Sequence, residues 1–159
     1  MRAEGIILME KKDLSEKQAK LSSGVDLSDE NLAAAYEKFK ADDNIVFVLT
    51  TFSNNKVNFV SSGVSVDEMI SVLNEENIFF GVLKALVSSQ QKVFSFSVLG
   101  ENVNGMKKGK ASMAKSGVLN FYDTHGDLTT FGDGASEVTK EALLQRIQES
   151  CRQTDVSLT

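Results

Sequence analysis

Residues 92–110 read KVFSFSVLGENVNGMKKGK and carry the chain from an alternating segment through two glycines into a cluster of lysines. Val93–Leu99 sets Phe94, Phe96 and Val98 on one side and Val93, Ser95, Ser97 and Leu99 on the other, the period of a strand. Gly100 and Gly105 then frame a six-residue loop, as in a phosphate-binding loop between strand and helix. The next positions do not fit that chemistry. An ammonium must reach the β/γ-phosphates and a hydroxyl must hold magnesium, but Met106 and Lys107 stand where Lys and then Ser or Thr are required. The strand before the loop also belongs to a hairpin, not to a βαβ unit. A nucleotide-binding protein or enzyme built on Gly100–Gly105 is thus only the rival reading, and the lysines need another use.

The pattern extends in both directions. Ser88–Gln91 turns Val93–Leu99 back onto an apolar strand, Ile78–Val87. Ile45–Phe52 and Val57–Val60, joined by Ser53–Lys56, form an earlier hairpin. Ser65 and Glu68 make a capping box that opens a short helix from Val66 to about Asn74, with Met69, Ile70 and Leu73 facing inward. Leu32, Ala35, Tyr36 and Phe39 have helical spacing behind cap residues at Ser22–Asp29. After the lysines, Ala111, Ala114, Val118 and Tyr122 predict a helix over 111–122, because Gly105 and Gly109 disfavour an earlier start. A strand around Leu128–Phe131 and a helix over Ser136–Arg152, with Leu143, Leu144, Ile147 and Cys151 on one side, complete the order α-β-β-α-β-β-α-β-α. Such an order implies an α+β fold, a largely antiparallel sheet covered on both faces.

Composition narrows the function. The 159 residues, 42% hydrophobic and 25% charged, suit one domain. No apolar run approaches the roughly 20 residues of a membrane span, and no signal peptide is evident at the start. One histidine, His125 in a turn-like stretch, and one cysteine, Cys151, supply neither a soft metal cluster nor a nucleophile and base, so an enzyme and a metal site are not expected. A reducing, cytoplasmic setting is expected. Net charge of −5 argues against a nucleic-acid binder, but from Asn77 to Tyr122 six lysines face one acid, leaving that third at +5 and the rest at −10. Lys108 and Lys115, seven apart, share one helix side, and Lys107 and Lys110 a neighbouring one.

Together, residues 92–110 and Ala33–Tyr36 resemble the actin-depolymerising-factor homology family, and within it the coactosin-like branch. The likeness spans roughly residues 24–152, and the Gly-Glu-Asn-Val turn at Gly100–Val103 is its most specific element. It implies a mixed, mostly antiparallel sheet between helices and an actin-binding, cytoskeleton-associated protein that needs no cofactor. In coactosin-like proteins a lysine opening the strand before this turn is important for filament binding, and Lys92 holds that position. The long helix after the turn faces actin in the family, so the resemblance carries Lys107, Lys108, Lys110 and Lys115 over as contacts. Ser23-Gly24-Val25 resembles the cofilin N-terminal segment, where the serine is a phosphorylation switch beside actin. A phosphate at Ser23 is expected to weaken binding to an acidic partner.

Ala111–Lys115 departs from the cofilin branch, which carries an aromatic residue and a Ser-Ser-Lys run there. Filament side binding is therefore the leading expectation, and a cofilin-like depolymerising or severing factor the alternative. Monomeric actin and phosphoinositides are further partners the resemblance allows. The domain is expected over 23–152, monomeric, after a flexible or helical extension over 1–22 and before a tail over 153–159.

Overall fold

In the computed structural model, which describes residues 24–159, Asp29 accepts the Asn31 amide and opens helix α1, Glu30–Ala41. The extension read over 1–22 and the candidate switch Ser23 lie outside the described residues. Leu32, Ala35, Tyr36 and Phe39 are buried, as their spacing requires. Strands β1, Phe47–Ser53, and β2, Lys56–Gly63, pair antiparallel around Asn54 and Asn55, whose φ of 50° and 61° place both in the left-handed region that asparagine tolerates. Ser65 caps α2, Val66–Val72, by accepting the Glu68 amide at 3.1 Å. That helix ends before Asn74, and of its expected inward residues Met69 is buried while Ile70 and Leu73 are only partly so.

Strands β3, Ile78–Val87, and β4, Gln90–Leu99, form the longest antiparallel pair. Helix α3, Gly105–Leu119, leads to β5, Gly126–Phe131, which runs parallel to β4. A 3-10 turn, Ala135–Glu137, precedes α4, Lys140–Cys151, so the last helix starts at its Thr139 cap and not at Ser136. Beyond it, β6, Val156–Ser157, pairs with the end of β3, and Leu158 packs against the core. The sheet order is β2-β1-β3-β4-β5. The α+β fold with a mixed, mostly antiparallel sheet is therefore as the pattern implies.

Each face has its own core. Helices α1 and α3 cover Val48, Phe80 and Val82, whereas α2 and α4 cover Phe47, Phe94, Phe96 and Val98. On β4 the alternation places Phe94 and Phe96 toward α4, and Ser95 and Ser97 on the α3 side. There Ser95 donates to Asp127 at 3.0 Å and Ser97 meets the Thr130 hydroxyl at 2.8 Å, so neither buried hydroxyl is orphaned. The outer edge of β5 is closed by Arg146, whose Nη1 donates to the Leu128 and Thr130 carbonyls at 3.3 Å while its guanidinium lies 3.6 Å from the centre of the Phe131 ring. Among the described residues no helix is long and apolar enough to cross a membrane.

Candidate binding surface

Helix α3 begins six residues earlier than its apolar spacing predicts. Asn104 accepts the Lys107 amide at 2.9 Å, and this cap, with the packing of Ala111, Ala114 and Val118, outweighs the glycine cost of about 1 kcal/mol each at Gly105 and Gly109. A Cβ at Gly109 would meet nothing within 4 Å, and its φ is not positive. Gly109→Ala is accordingly expected to stabilise the protein by about 0.5–1 kcal/mol, read as a raised urea midpoint at unchanged slope. Unchanged or lower stability would show that the first turns of α3 are not helical in solution.

Starting at Gly105 places Lys107, Lys108 and Lys110 all on the helix. Lys107 and Lys110 project outward with Met106 and Met113, which are 73% and 88% exposed. Two such methionines, about two helical turns apart with Lys110 between them, make an apolar ridge edged by cations. Attention to the lysines alone misses the ridge, although the seven-residue spacing of Met106 and Met113 is visible in the sequence. Beside it, a groove of about 590 Å³ is lined by Val25, Phe52, Asn54, Asn55, Ile78 and Ala114, together with Lys107, Lys110 and Met113. Asn55 donates to the Gly24 carbonyl, and Asp26 bridges to Lys56, so Gly24 and Val25 are held at the groove's edge. No acid lies within ion-pair distance of Lys107, Lys108 or Lys110 among the described residues.

The other lysines of the +5 segment lie elsewhere. Lys115 is engaged internally, 3.1 Å from Asp127 and 3.1 Å from the Thr130 hydroxyl, which fastens α3 to β5. Lys84 is buried beneath α1. Lys92 pairs in register with Ala85, on the sheet face that carries Phe94 and Phe96 and is covered by α4, opposite α3. Seven steps along the strand, about 23 Å, separate it from Leu99, just before the loop into α3. The structure thus joins Lys107 and Lys110 with Gly24 and Val25, sets Lys108 half-buried on the flank, and places Lys92 on a separate surface. His125, read as a solvated loop residue, is exposed but extends the β4–β5 ladder: its amide donates to the Val93 carbonyl at 2.7 Å and its Nδ1 accepts the Val93 amide at 3.0 Å.

The Gly100–Val103 turn spends its own donors. The Gly100 amide goes to the Asn77 carbonyl, Glu101 to the Glu75 carboxylate, Asn102 to the Glu75 carbonyl and Val103 to the Gly100 carbonyl. A Cβ at Gly100 would lie 2.4 Å from the Glu75 carbonyl oxygen, so this glycine serves close packing. These four amides have nothing left to offer a phosphate. Glu75 also accepts the Ala135 and Ser136 amides at 2.6 and 3.1 Å, tying the turn to the 3-10 segment. The Glu101 amide, then that of Ala135, hold its carboxyl below the usual glutamate range. A carboxyl depressed in the folded state contributes stability above its unfolded value, near 4.5, and loses it as pH falls through the folded one. Glu75→Gln is expected to melt lower than wild type at pH 7 and to show a shallower fall in Tm below pH 4.5. Parallel Tm profiles would remove Glu75 from the acid response.

The sequence pattern of the cofilin/tropomyosin-type actin-binding proteins matches residues 24–148. The chain belongs to that family. Among solved structures, this cofilin/tropomyosin-type domain is similar to human coactosin-like protein, with a TM-score of 0.67 and 16% identity over 79% of this chain and 98% of that one. It is also similar to coactosin from Entamoeba histolytica, with a TM-score of 0.65 and 19% identity over 80% and 96% of the two chains. Mouse coactosin, described as an actin filament binding protein, gives a TM-score of 0.63 and 15% identity over 79% and 92%. No curated protein sequence is similar enough to count as a relative. At these identities the likeness is one of fold, and it is the sandwich of α1 and α3 against α2 and α4 that the family domain shares with them.

Proposed function

We propose that the protein binds the sides of actin filaments in the coactosin manner, as a non-enzymatic, monomeric, cytoplasmic component of the cytoskeleton. One observation carries the reading: an exposed ridge of Met106, Lys107, Lys110 and Met113, free of acidic neighbours among the described residues, borders an apolar groove. Apolar anchors edged by cations suit a partner whose surface is acidic around apolar pockets. Lys108 reinforces the flank, Lys115 sets the helix in place, and Lys92 contributes a second contact from the opposite sheet face. Val25 lines the groove and Asn55 holds Gly24 next to it, and a phosphate on Ser23 would repel an acidic partner and weaken binding. Anionic phosphoinositide headgroups would compete for the same lysines.

Co-sedimentation of the full chain with filamentous actin at low and high salt tests the reading. Pelleting that weakens with salt is expected. Absence of the folded protein from the pellet at every salt concentration would end the filament proposal and bring monomeric actin forward. Accelerated filament loss in the same assay would instead favour the cofilin-like depolymerising alternative.

A further inference from the structure

We propose that Met106 and Met113 form a reversible oxidation site, where a peroxide turns the two thioethers of the α3 ridge into sulfoxides and so switches off partner binding. The chemistry stands on the ridge alone; its consequence for actin rests on the function proposed above.

Exposure singles out these two side chains. Met106 and Met113 are 73% and 88% exposed, whereas Met69 is fully buried in the core beneath α2. An oxidant must reach the sulfur, so in the folded protein the ridge reacts first and Met69 last. Neither ridge methionine belongs to a core cluster, so the modification leaves the packing on both sheet faces intact. At each sulfur a lone pair forms the new S–O bond as the peroxide O–O bond breaks, and the departing oxygen leaves as hydroxide and takes a proton to become water. The sulfur gives up two electrons and the peroxide gains them. A dithiol reductase reverses the change: its two thiols become a disulfide while the sulfoxide oxygen leaves as water.

Oxidation acts on both halves of the surface. The apolar half of the ridge becomes polar, and a partner's apolar pocket would have to desolvate each S=O group. The cationic half is diverted as well. Lys110 stands four residues after Met106 and three before Met113, the spacing of neighbours on a helix, so its ammonium has either new oxygen to donate to in place of an acidic partner. Met113 also lines the groove beside the ridge, so the same change makes that wall polar.

Peroxide treatment of the full-length protein, with the oxidant removed before filamentous actin is added, tests the proposal. Peptide mapping should find Met106 and Met113 oxidised at least several-fold faster than Met69, with an unchanged melting temperature. Filament affinity should fall roughly tenfold in step with those two sulfoxides, and methionine sulfoxide reductases should restore it. The affinity of Met106→Leu/Met113→Leu, compared with its own untreated state, should not respond to peroxide. Oxidation of the ridge as slow as that of Met69 overturns the proposal. So does a loss of affinity that follows the sulfoxides of Met1 or Met9, or one that persists in the leucine variant. Full pelleting of the oxidised protein overturns the switch and leaves the filament reading standing, whereas an untreated protein that never pellets rejects both.

Discussion

Lys84→Met is expected to melt roughly 6 °C below wild type, a loss of about 2 kcal/mol. The Lys84 ammonium donates to the carbonyls of Phe39 at 2.5 Å and Asp42 at 2.9 Å, closing the C-terminal end of α1, and lies 4.3 Å from the centre of the Phe39 ring. Burial pushes its pKa down, and the attraction of Asp43 and Asp42 only partly restores it, so taking the charge out of water is a net cost. The favourable part is the pair of carbonyls it satisfies at the negative end of the helix dipole. Methionine keeps the stem's packing and relieves the burial of charge, but takes the ammonium from the Phe39 carbonyl, whereas the Asp42 carbonyl keeps the Ile45 amide at 3.1 Å. Stranding the buried Phe39 acceptor costs about 1–3 kcal/mol, which outweighs the relief. A thermal melt decides the matter. A Lys84→Met protein that melts within a degree of wild type would mean that water reaches the Phe39 carbonyl and that Lys84 caps nothing.

This lysine also shows where sequence reading stops. Strand periodicity in β4 places Phe94, Phe96 and Val98 in one core because alternation is a local property of the chain, and the helix spacing of Leu32, Ala35, Tyr36 and Phe39 does the same for α1. Lys84 lies on the inward side of β3 between Val82 and Leu86, yet one lysine in a strand reads as surface charge until a helix end is brought above it from 45 residues away. Counted as surface, it inflated the charge of the basic segment. The same limit applies to Lys115 and Asp127, which become a pair only through the parallel β4–β5 crossover. Glu75 gathers amides from two distant turns, and no spacing in the sequence announces that. The early turns of α3 were hidden for a different reason: Gly105 and Gly109 lower local helix propensity, and tertiary packing of the later turns overrides them.

Reversing two charges on that helix is expected to have the largest functional effect. Lys107→Glu/Lys110→Glu should weaken filament binding roughly 10- to 100-fold, because each substitution removes an attraction to an acidic partner and adds a repulsion. The melting temperature should not fall, since neither lysine has an intramolecular acid among the described residues. Lys92→Glu supplies the informative contrast. Lys92 sits on the opposite face of the sheet and near the other end of β4, so the two surfaces are too far apart to meet the same small patch of a partner. If a filament presents two subunits to the protein, each reversal weakens pelleting, and the two effects add as they do for separated sites. A monomer should sense the α3 reversal but not Lys92→Glu. Loss of monomer binding on reversal at Lys92 alone would place the whole contact on the hairpin side and leave the methionine ridge unused. Equal pelleting of the α3 variant and wild type at low salt would do the same, because electrostatic contacts are strongest there.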